Sequence, residues 1–242
     1  MRNFFTIWRK ELAAHFLSPI AYVIMMIFLS ITNWLFLMLV ENNGGSSEPL
    51  SVFLFRVILF LWMPVLAAVI TMRLFAEERR SGTIETLMTA PVTETEVVLG
   101  KYAGALCFLL LITAPAISSV FLLKILCPGI SYLDLGALTG GIIIFFLLSI
   151  FCTSVGVFFS LISRNPIISV VCSLCGMWLM LLAGDILVSL PKGTGKVVEY
   201  IYSGSHILDF ARGSIDTRPV VLYLSGAVLM LFTSVRLLEF KK

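Results

Sequence analysis

The sequence predicts an all-α membrane protein with six transmembrane helices, an N-terminal interfacial helix and a short cytoplasmic helix between spans two and three. Of its 242 residues, 59% are hydrophobic and only 13% are charged, about half the charge of a typical soluble domain. The apolar residues form six runs, each close to the roughly 20 helical residues that cross a hydrocarbon core. The runs lack period-two alternation, which excludes a membrane β-barrel. Helices remain, because backbone groups in lipid must be hydrogen-bonded within their own segment.

The interfacial helix is predicted over residues 1–17. Apolar residues recur at every fourth position from Phe4 through Trp8 to Phe16, while the charged residues 9–11 fall off that stripe. This pattern is typical of a helix that lies along the membrane surface. A simple cytoplasmic extension of the first span is the alternative.

Six spans follow within a single transmembrane domain, residues 1–242. Ser18–Pro19 and Asn165–Pro166 are typical helix starts, with a capping side chain before a proline at the first helical position. The predicted spans are 19–40, 52–75, 102–123, 135–162, 166–190 and 219–238.

The distribution of Lys and Arg predicts that both termini are cytoplasmic. With that orientation, eleven basic residues lie inside and six outside. The inner set is Arg2, Arg9, Lys10, Arg73, Arg79, Arg80, Lys101, Arg164, Arg236, Lys241 and Lys242, and the outer set is Arg56, Lys124, Lys192, Lys196, Arg212 and Arg218. The net charge of +3 is small and gives no indication of a nucleic-acid partner.

The densest charge lies in the 76–101 segment, the largest cytoplasmic feature of this topology. The second span is predicted to continue past Arg73 as a helix, in which Glu77 can pair with Arg73 or Arg80 along one face. Gly82 can end that helix in the left-handed conformation.

A second, short helix is predicted over residues 84–90. Thr83 is a plausible N-cap, Glu85 then lies in the first turn where the helix dipole favours it, and Pro91 marks the end. Thr93 and Glu96 form a capping-box pattern that starts the helix into span three.

Two successive capped helix starts favour a docking element for a soluble partner over a solvated loop. The apolar Leu87 and Met88 offer contact, and the surrounding charges offer orientation. The alternative is a loop whose arginines only set the topology. That alternative accounts for Arg79 and Arg80 but leaves the five glutamates of the segment unexplained.

The run FAEERRSGTIETLMTAPVTETEVVLGKYAG resembles the signature of permease subunits of type-2 ATP-binding-cassette (ABC) exporters. KELAAHFLSPIAYV is similar to that family's entry into its first span, and GSHILDFARGSIDTRPVVLYLS to its gliding-motility-type branch. The matching positions of the central motif are Glu78, Arg79, Gly82, Thr83, Glu85, Leu87, Pro91, Gly100 and Lys101.

The resemblance implies a transport subunit of a bacterial inner membrane that is not itself an enzyme. It implies that two permease chains, identical or related, pair around a central path above two ABC ATPase subunits. The 84–90 helix would be the coupling helix that passes movement of the ATPases to spans two and three. The implied coupling residues are Glu77, Glu78, Arg79, Gly82, Thr83, Glu85, Leu87 and Pro91.

No catalytic residue, metal site or cofactor is expected on this chain, so ATP and Mg²⁺ belong to the partner ATPase. The run 193–196 has Gly-Thr-Gly-Lys but lacks the earlier glycine of a phosphate loop and the following Ser or Thr. Cys172 and Cys175 share a helical face, but no further ligand joins them, so helix packing is favoured over metal binding. We expect Glu78→Ala or Glu85→Ala to leave folding intact while uncoupling ATP hydrolysis from transport.

Candidate residues for an outer gate are Asp185, Asp209, Arg212 and Asp216. Asp185 is the one carboxylate well inside an apolar run, which makes it a functional candidate by default. The other three lie in the outer loop 191–218, where a short helix containing His206 is predicted. The resemblance implies outer or re-entrant helices that gate the exit; a solvated loop is the alternative.

Two other classes of function stay open on the residues alone. An intramembrane serine protease needs a buried Ser–His pair, but both histidines, His15 and His206, fall outside the predicted spans. An ion-driven secondary transporter needs charged or broken helices at mid-membrane, for which Asp185 alone is thin support.

Overall fold

The computed structural model describes residues 2–42, 57–83, 92–126, 135–188 and 203–240, and all regular secondary structure in those ranges is helical. The α-helices are α1 (Arg2–Phe16), α2 (Pro19–Asn42), α3 (Met63–Thr71), α4 (Ala76–Ser81), α5 (Glu94–Leu126), α6 (Leu135–Ile162), α7 (Pro166–Val188), α8 (Ser203–Ala211) and α9 (Thr217–Glu239). A π-helical segment, Ile58–Trp62, leads directly into α3. The prediction of an α-helical membrane protein is confirmed at this level.

Within the described ranges, four stretches are long and apolar enough to cross a membrane: Ile58–Ser81, Glu94–Ser118, Leu138–Ile162 and Thr217–Glu239. The bent pair α1 and α2 makes a fifth if it is counted as one span. A further apolar stretch, Pro166–Leu182, is shorter. The number six therefore stays a prediction.

Helix α6 lies at the centre of the bundle and packs against α3, α5, α7, α8 and α9. Its Ile144, Phe145 and Leu148 are fully or almost fully buried. Two of its buried hydroxyls donate hydrogen bonds to backbone carbonyls of the same helix: Ser149 to Phe145 at 2.7 Å and Thr153 to Ser149 at 2.7 Å. The side chains of α6 that remain exposed, such as Phe146 at 46%, are apolar, as expected for a helix that faces other helices or lipid.

A sharp elbow separates α1 from α2. The axes of Asn3–Phe16 and Pro19–Leu35 differ by 67°, and the chain turns at Leu17 and Ser18. Leu17 is 82% exposed at this corner. Helix α1 is therefore a separate helix that packs against α5, and its position along the membrane surface stays a prediction.

The second span continues past Arg73 to Ser81 as predicted, but a turn interrupts its α-helical hydrogen bonding. Helix α3 ends at Thr71, residues 72–75 form a turn, and α4 begins at Ala76. The hydroxyl of Ser160, near the end of α6, accepts hydrogen bonds from the amides of Phe75 at 3.1 Å and Ala76 at 3.3 Å. It stands within 3.3 Å of the Met72 carbonyl as well. A side chain 84 residues away thus satisfies the backbone groups that the turn would otherwise leave unpaired.

Candidate functional site: a buried lysine that joins three helices

The Lys101 cluster lies where α1, α4 and α5 meet, and it consists of Lys101, Glu11, Glu78, the Leu74 carbonyl and the Phe75 ring. The Lys101 side chain is 2% exposed. Its Nζ lies 2.8 Å from Glu11 Oε1 on α1, 2.7 Å from Glu78 Oε1 on α4 and 2.8 Å from the Leu74 carbonyl oxygen. The cluster connects the N-terminal helix, the helix after span two and the start of span three through one cation.

These three acceptors equal the number of hydrogen bonds that a lysine ammonium group can donate. An ammonium group has three N–H donors and no acceptor, so each proton has one partner. The Phe75 ring centroid lies 5.2 Å from Nζ and adds a cation–π contact. Because a buried charge is tolerated only when it is paired and hydrogen-bonded, this coordination explains how a lysine can be almost fully buried here.

The carboxylates are less enclosed than the lysine. Glu11 is 13% and Glu78 23% exposed, and Glu78 Oε2 is buried without a hydrogen-bond partner. With two carboxylates and one ammonium, the ionised cluster carries a formal charge of −1. Removal of one carboxylate would therefore leave a matched pair, whereas removal of the lysine would leave two acids facing each other.

Two glycines of α5 allow α1 to approach closely enough for the Glu11 contact. A Cβ on Gly100 would lie 2.9 Å from Ile7 Cγ2, and one on Gly104 would lie 2.9 Å from the Cβ of Glu11. Both distances are shorter than ordinary van der Waals contact. Small residues four apart on α5 thus form a groove for α1, the usual device for close helix contacts in membranes.

The far side of α5 is joined to the centre of the bundle. The hydroxyl of Tyr102 donates to the Ile150 carbonyl of α6 at 3.1 Å. Ser160 of α6 holds the turn that supplies the Leu74 carbonyl to Lys101. The Lys101 cluster is therefore supported from α6 on both sides, and α1, α4, α5 and α6 form one connected unit at this end of the molecule.

The structure confirms two local predictions on the 76–101 segment. Gly82 follows α4 with a φ of 74° in the left-handed region that favours glycine. Thr93 and Glu96 form the capping box: the Glu96 amide donates to Thr93 Oγ1 at 3.3 Å, and the Thr93 amide to Glu96 Oε2 at 3.4 Å.

Of the two predicted pairings of Glu77, the structure contains the one with Arg73. Arg73 Nε lies 3.7 Å from Glu77 Oε2, and both side chains are largely exposed. Glu78, rather than Glu77, connects α4 to the rest of the bundle.

The predicted N-cap role of Thr83 concerns residues that the structure does not describe. Its hydroxyl lies 2.9 Å from Ser81 Oγ, at the end of α4. Glu85, Leu87, Pro91 and the 84–90 helix lie outside the described residues. Their role in coupling stays a prediction.

At the opposite end of the bundle, α8 forms part of the packed structure. Its Ile207 and Phe210 are buried, and it contacts α6. Gly213 follows it with a φ of 85°. Residues 203–213 therefore do not form a solvated loop, although residues 191–202 lie outside the described part of the chain.

Of the four outer-gate candidates, two are neighbours at the end of α8, where the Arg212 amide donates to the Asp209 carbonyl at 3.2 Å. Asp209 and Arg212 lie in and just after α8, and Asp216 is the N-cap of α9, accepting from the Arg218 amide at 3.1 Å. Asp185 lies near the end of α7, and its side chain is outside the described part of the structure. A gating role stays a prediction for all four.

Sequence reasoning missed Glu11 and Ser160. The one signal for Glu11 was its position off the apolar stripe of α1. In a helix along the membrane surface, that position predicts contact with water rather than with another helix. Ser160 carried no signal, because a serine in an apolar helix usually bonds to its own backbone. The contact of Glu78 with Lys101 adds a stability cost to Glu78→Ala that the sequence did not reveal, and the folding of this variant stays a prediction.

Together, the apolar helices, the elbow at α1–α2 and the charged cluster at one end define a multi-pass α-helical membrane protein. The sequence model of the family described as ABC-2 family transporter protein matches residues 6–199, most of the chain. The protein therefore belongs to this family and is a membrane permease of an ABC transporter. A search of curated proteins found no match.

Proposed function

We propose that this permease exports its substrate with energy from separate ABC ATPase subunits, and that the 76–101 segment receives the movement of those subunits. The observation that carries the proposal is the Lys101 cluster in a member of the ABC-2 family. The undescribed residues 84–91 are flanked on one side by α4 and on the other by the start of α5. Lys101 joins those two flanks through Glu78 at 2.7 Å.

The physical reason is that a force is transmitted only through elements that move together. A force on residues 84–91 would reach α4 and α5 at once. The ion pair would keep them from separating, because breaking it leaves a charge buried without a partner. Helix α1 would follow through Glu11, so the N-terminal helix would take part in the movement.

The arrangement proposed for the whole assembly has six spans per chain, two permease chains that are identical or related, and a bacterial inner membrane with both termini in the cytoplasm. The excess of Lys and Arg on the proposed inner side supports the orientation. Exposed apolar faces are available for lipid or a second chain; on α9, for example, Val228 is 66% and Phe232 58% exposed.

The test is purification of the full-length chain in mild detergent, followed by identification of the proteins that accompany it. We expect an ABC ATPase in the preparation, and we expect Leu87→Asp to remove it without changing the yield of the permease. Asp216→Asn, at the other end of the bundle, is the matched control and should keep the ATPase.

A chain that transports in reconstituted vesicles without any ATPase would contradict the proposal and favour an ion-driven carrier. Retention of the ATPase by the Leu87→Asp variant would contradict the docking role of the 84–90 helix alone.

A further inference from the structure

A cavity of about 510 Å³ lies between the segment 72–81, which contains the turn from α3 to α4, and the start of α7. Arg73, Glu77, Arg80 and Ser81 line it on one side, and Asn165 and Ile167 are among the residues on the other. Residues 73, 77, 80 and 81 share one face of the turn and α4, away from the face that carries Glu78 toward Lys101. The cavity is therefore distinct from the Lys101 cluster, although α4 contributes to both.

Among the described residues, the charges around the cavity are not balanced. Arg73 pairs with Glu77 at 3.7 Å, but no carboxylate in the described part of the chain lies within ion-pair distance of Arg80 or Arg164. Arg164 comes directly before the lining residue Asn165. Arg73 and Arg80 line the cavity and Arg164 adjoins it in sequence, so these three arginines outnumber the single lining carboxylate, Glu77.

The start of α7 adds a second attraction for an anion. The Asn165 side chain accepts from the Ile167 amide at 3.0 Å and caps the helix, and the positive end of the dipole of this 23-residue helix points toward the cavity mouth. Helix N-termini with nearby cations are common sites for phosphate groups. The volume is in the range of pockets for small organic groups and exceeds the need of a single ion.

The position of the cavity favours a lipid over a free anion. It lies where the apolar helix α3 ends and the apolar helix α7 begins, and the composition of these helices predicts the boundary between hydrocarbon and water there. Next to it, Ile167 is 72% and Ile168 55% exposed on the outer surface of α7. A headgroup in the cavity would place its acyl chains along these side chains.

We propose that this cavity binds the phosphate of an anionic phospholipid through Arg80, with Arg164 and the start of α7 contributing to the attraction. The site depends on the boundary of the membrane and not on the identity of the cargo or the presence of an ATPase. Bound lipid would hold the segment 72–81 against the start of α7, since the cavity separates the two.

The experiment uses the delipidated full-length chain in detergent without its ATPase, titrated with dioleoylphosphatidylglycerol and, separately, with dioleoylphosphatidylcholine. The readout is the thermal unfolding midpoint as a function of lipid. The variants are Arg80→Gln, Arg164→Gln and the double variant. Arg236→Gln is the matched control, because Arg236 lies at an end of α9 and already pairs with Glu239 at 2.7 Å.

Each arginine close to an anionic headgroup contributes a factor of about five to the affinity. We therefore expect phosphatidylglycerol to bind about fivefold more weakly to each single variant and about 30-fold more weakly to the double variant. The Arg236→Gln control should bind phosphatidylglycerol like the wild type. Phosphatidylcholine should shift the thermal unfolding midpoint by the same amount in the wild type and in every variant. Arg164→Gln changes an exposed side chain, so it keeps the test valid if Arg80→Gln fails to fold.

Equal phosphatidylglycerol affinity in the wild type, the two single variants and the double variant would overturn the proposal. If inorganic phosphate competes with the lipid and stabilises the chain as well as the lipid does, the cavity binds a free anion and the lipid assignment is wrong. If the arginine variants keep lipid affinity but lose an accompanying protein subunit, the cavity is a protein contact, and the assignment is likewise wrong.

Discussion

Replacement of Lys101 by methionine is the sharpest test of the Lys101 cluster. Methionine keeps the length and apolar stem of the side chain but removes the cation. Glu11 and Glu78, 13% and 23% exposed, would then face each other without a counter-charge. Breaking a buried ion pair by removing one partner costs about 3–5 kcal/mol, and the partial exposure of both acids favours the lower end, about 3 kcal/mol.

The same cluster predicts a much smaller cost for a change on the acidic side. Glu11→Gln leaves the pair between Lys101 and Glu78 at 2.7 Å, and the new amide oxygen can still accept from Nζ. The expected loss is about 1 kcal/mol, close to that of one ordinary hydrogen bond. The triple variant Lys101→Met, Glu11→Gln, Glu78→Gln removes every charge and should recover at least half of the loss.

The assay is unfolding of the purified full-length chain by titration of SDS into mixed micelles, followed by tryptophan fluorescence and circular dichroism. A shift of the midpoint at constant slope reports the change in free energy of unfolding. If Lys101→Met costs no more than Glu11→Gln, or if the triple variant is less stable than Lys101→Met, the cluster does not hold the helices together as described.

Three further substitutions test the surroundings of the cluster. Ser160→Ala removes the acceptor for the Phe75 amide at 3.1 Å and should lower the free energy of unfolding by about 1–3 kcal/mol, measured by SDS titration. Gly104→Val inserts side-chain atoms where a Cβ already lies 2.9 Å from Glu11 and should cost about 1–3 kcal/mol, with faster proteolysis of α1. Burial lowers the pKa of His15 against an opposing contribution from Glu11, so the unfolded chain takes up a proton at a higher pH than the folded chain. Stability should therefore be full above the unfolded pKa of about 6.5 and fall as the pH decreases below it, and His15→Phe should flatten the dependence of the unfolding midpoint on pH.

Control variants distinguish the specific effects of Ser160→Ala and His15→Phe from a nonspecific loss of stability on substitution. Ser225→Ala removes an exposed hydroxyl that donates to the Leu222 carbonyl of its own helix at 3.1 Å, so its free energy of unfolding should be close to that of the wild type. An equal loss of free energy of unfolding in Ser160→Ala and Ser225→Ala would show that the hydrogen bonds of Ser160 to the turn do not stabilise the protein. His206 is a second histidine whose pKa is lowered by burial. A pH dependence that disappears in His206→Phe but persists in His15→Phe would assign the titration to α8 and contradict the prediction for α1.

The amino-acid sequence by itself determined the membrane class, the helical structure and several helix starts, among them those at Pro19, Pro166 and the capping box at Thr93. Composition and run length are sufficient for this, because lipid leaves helices as the solution for long apolar runs without alternation. Local signals were equally reliable where the partners are close in sequence. The left-handed Gly82 and the capping box from Thr93 to Glu96 depend only on residues within one turn.

Only the tertiary structure decided which charges pair. Sequence reasoning favoured neighbours along one helix, yet Lys101 finds its carboxylates 90 and 23 residues away. The 67° elbow brings Glu11 to α5, and Ser160 of α6 shapes the turn that delivers the Leu74 carbonyl. Such contacts depend on where helices cross, which is set by close packing at glycines and by the angle of the chain between elements. Helical periodicity contains neither quantity.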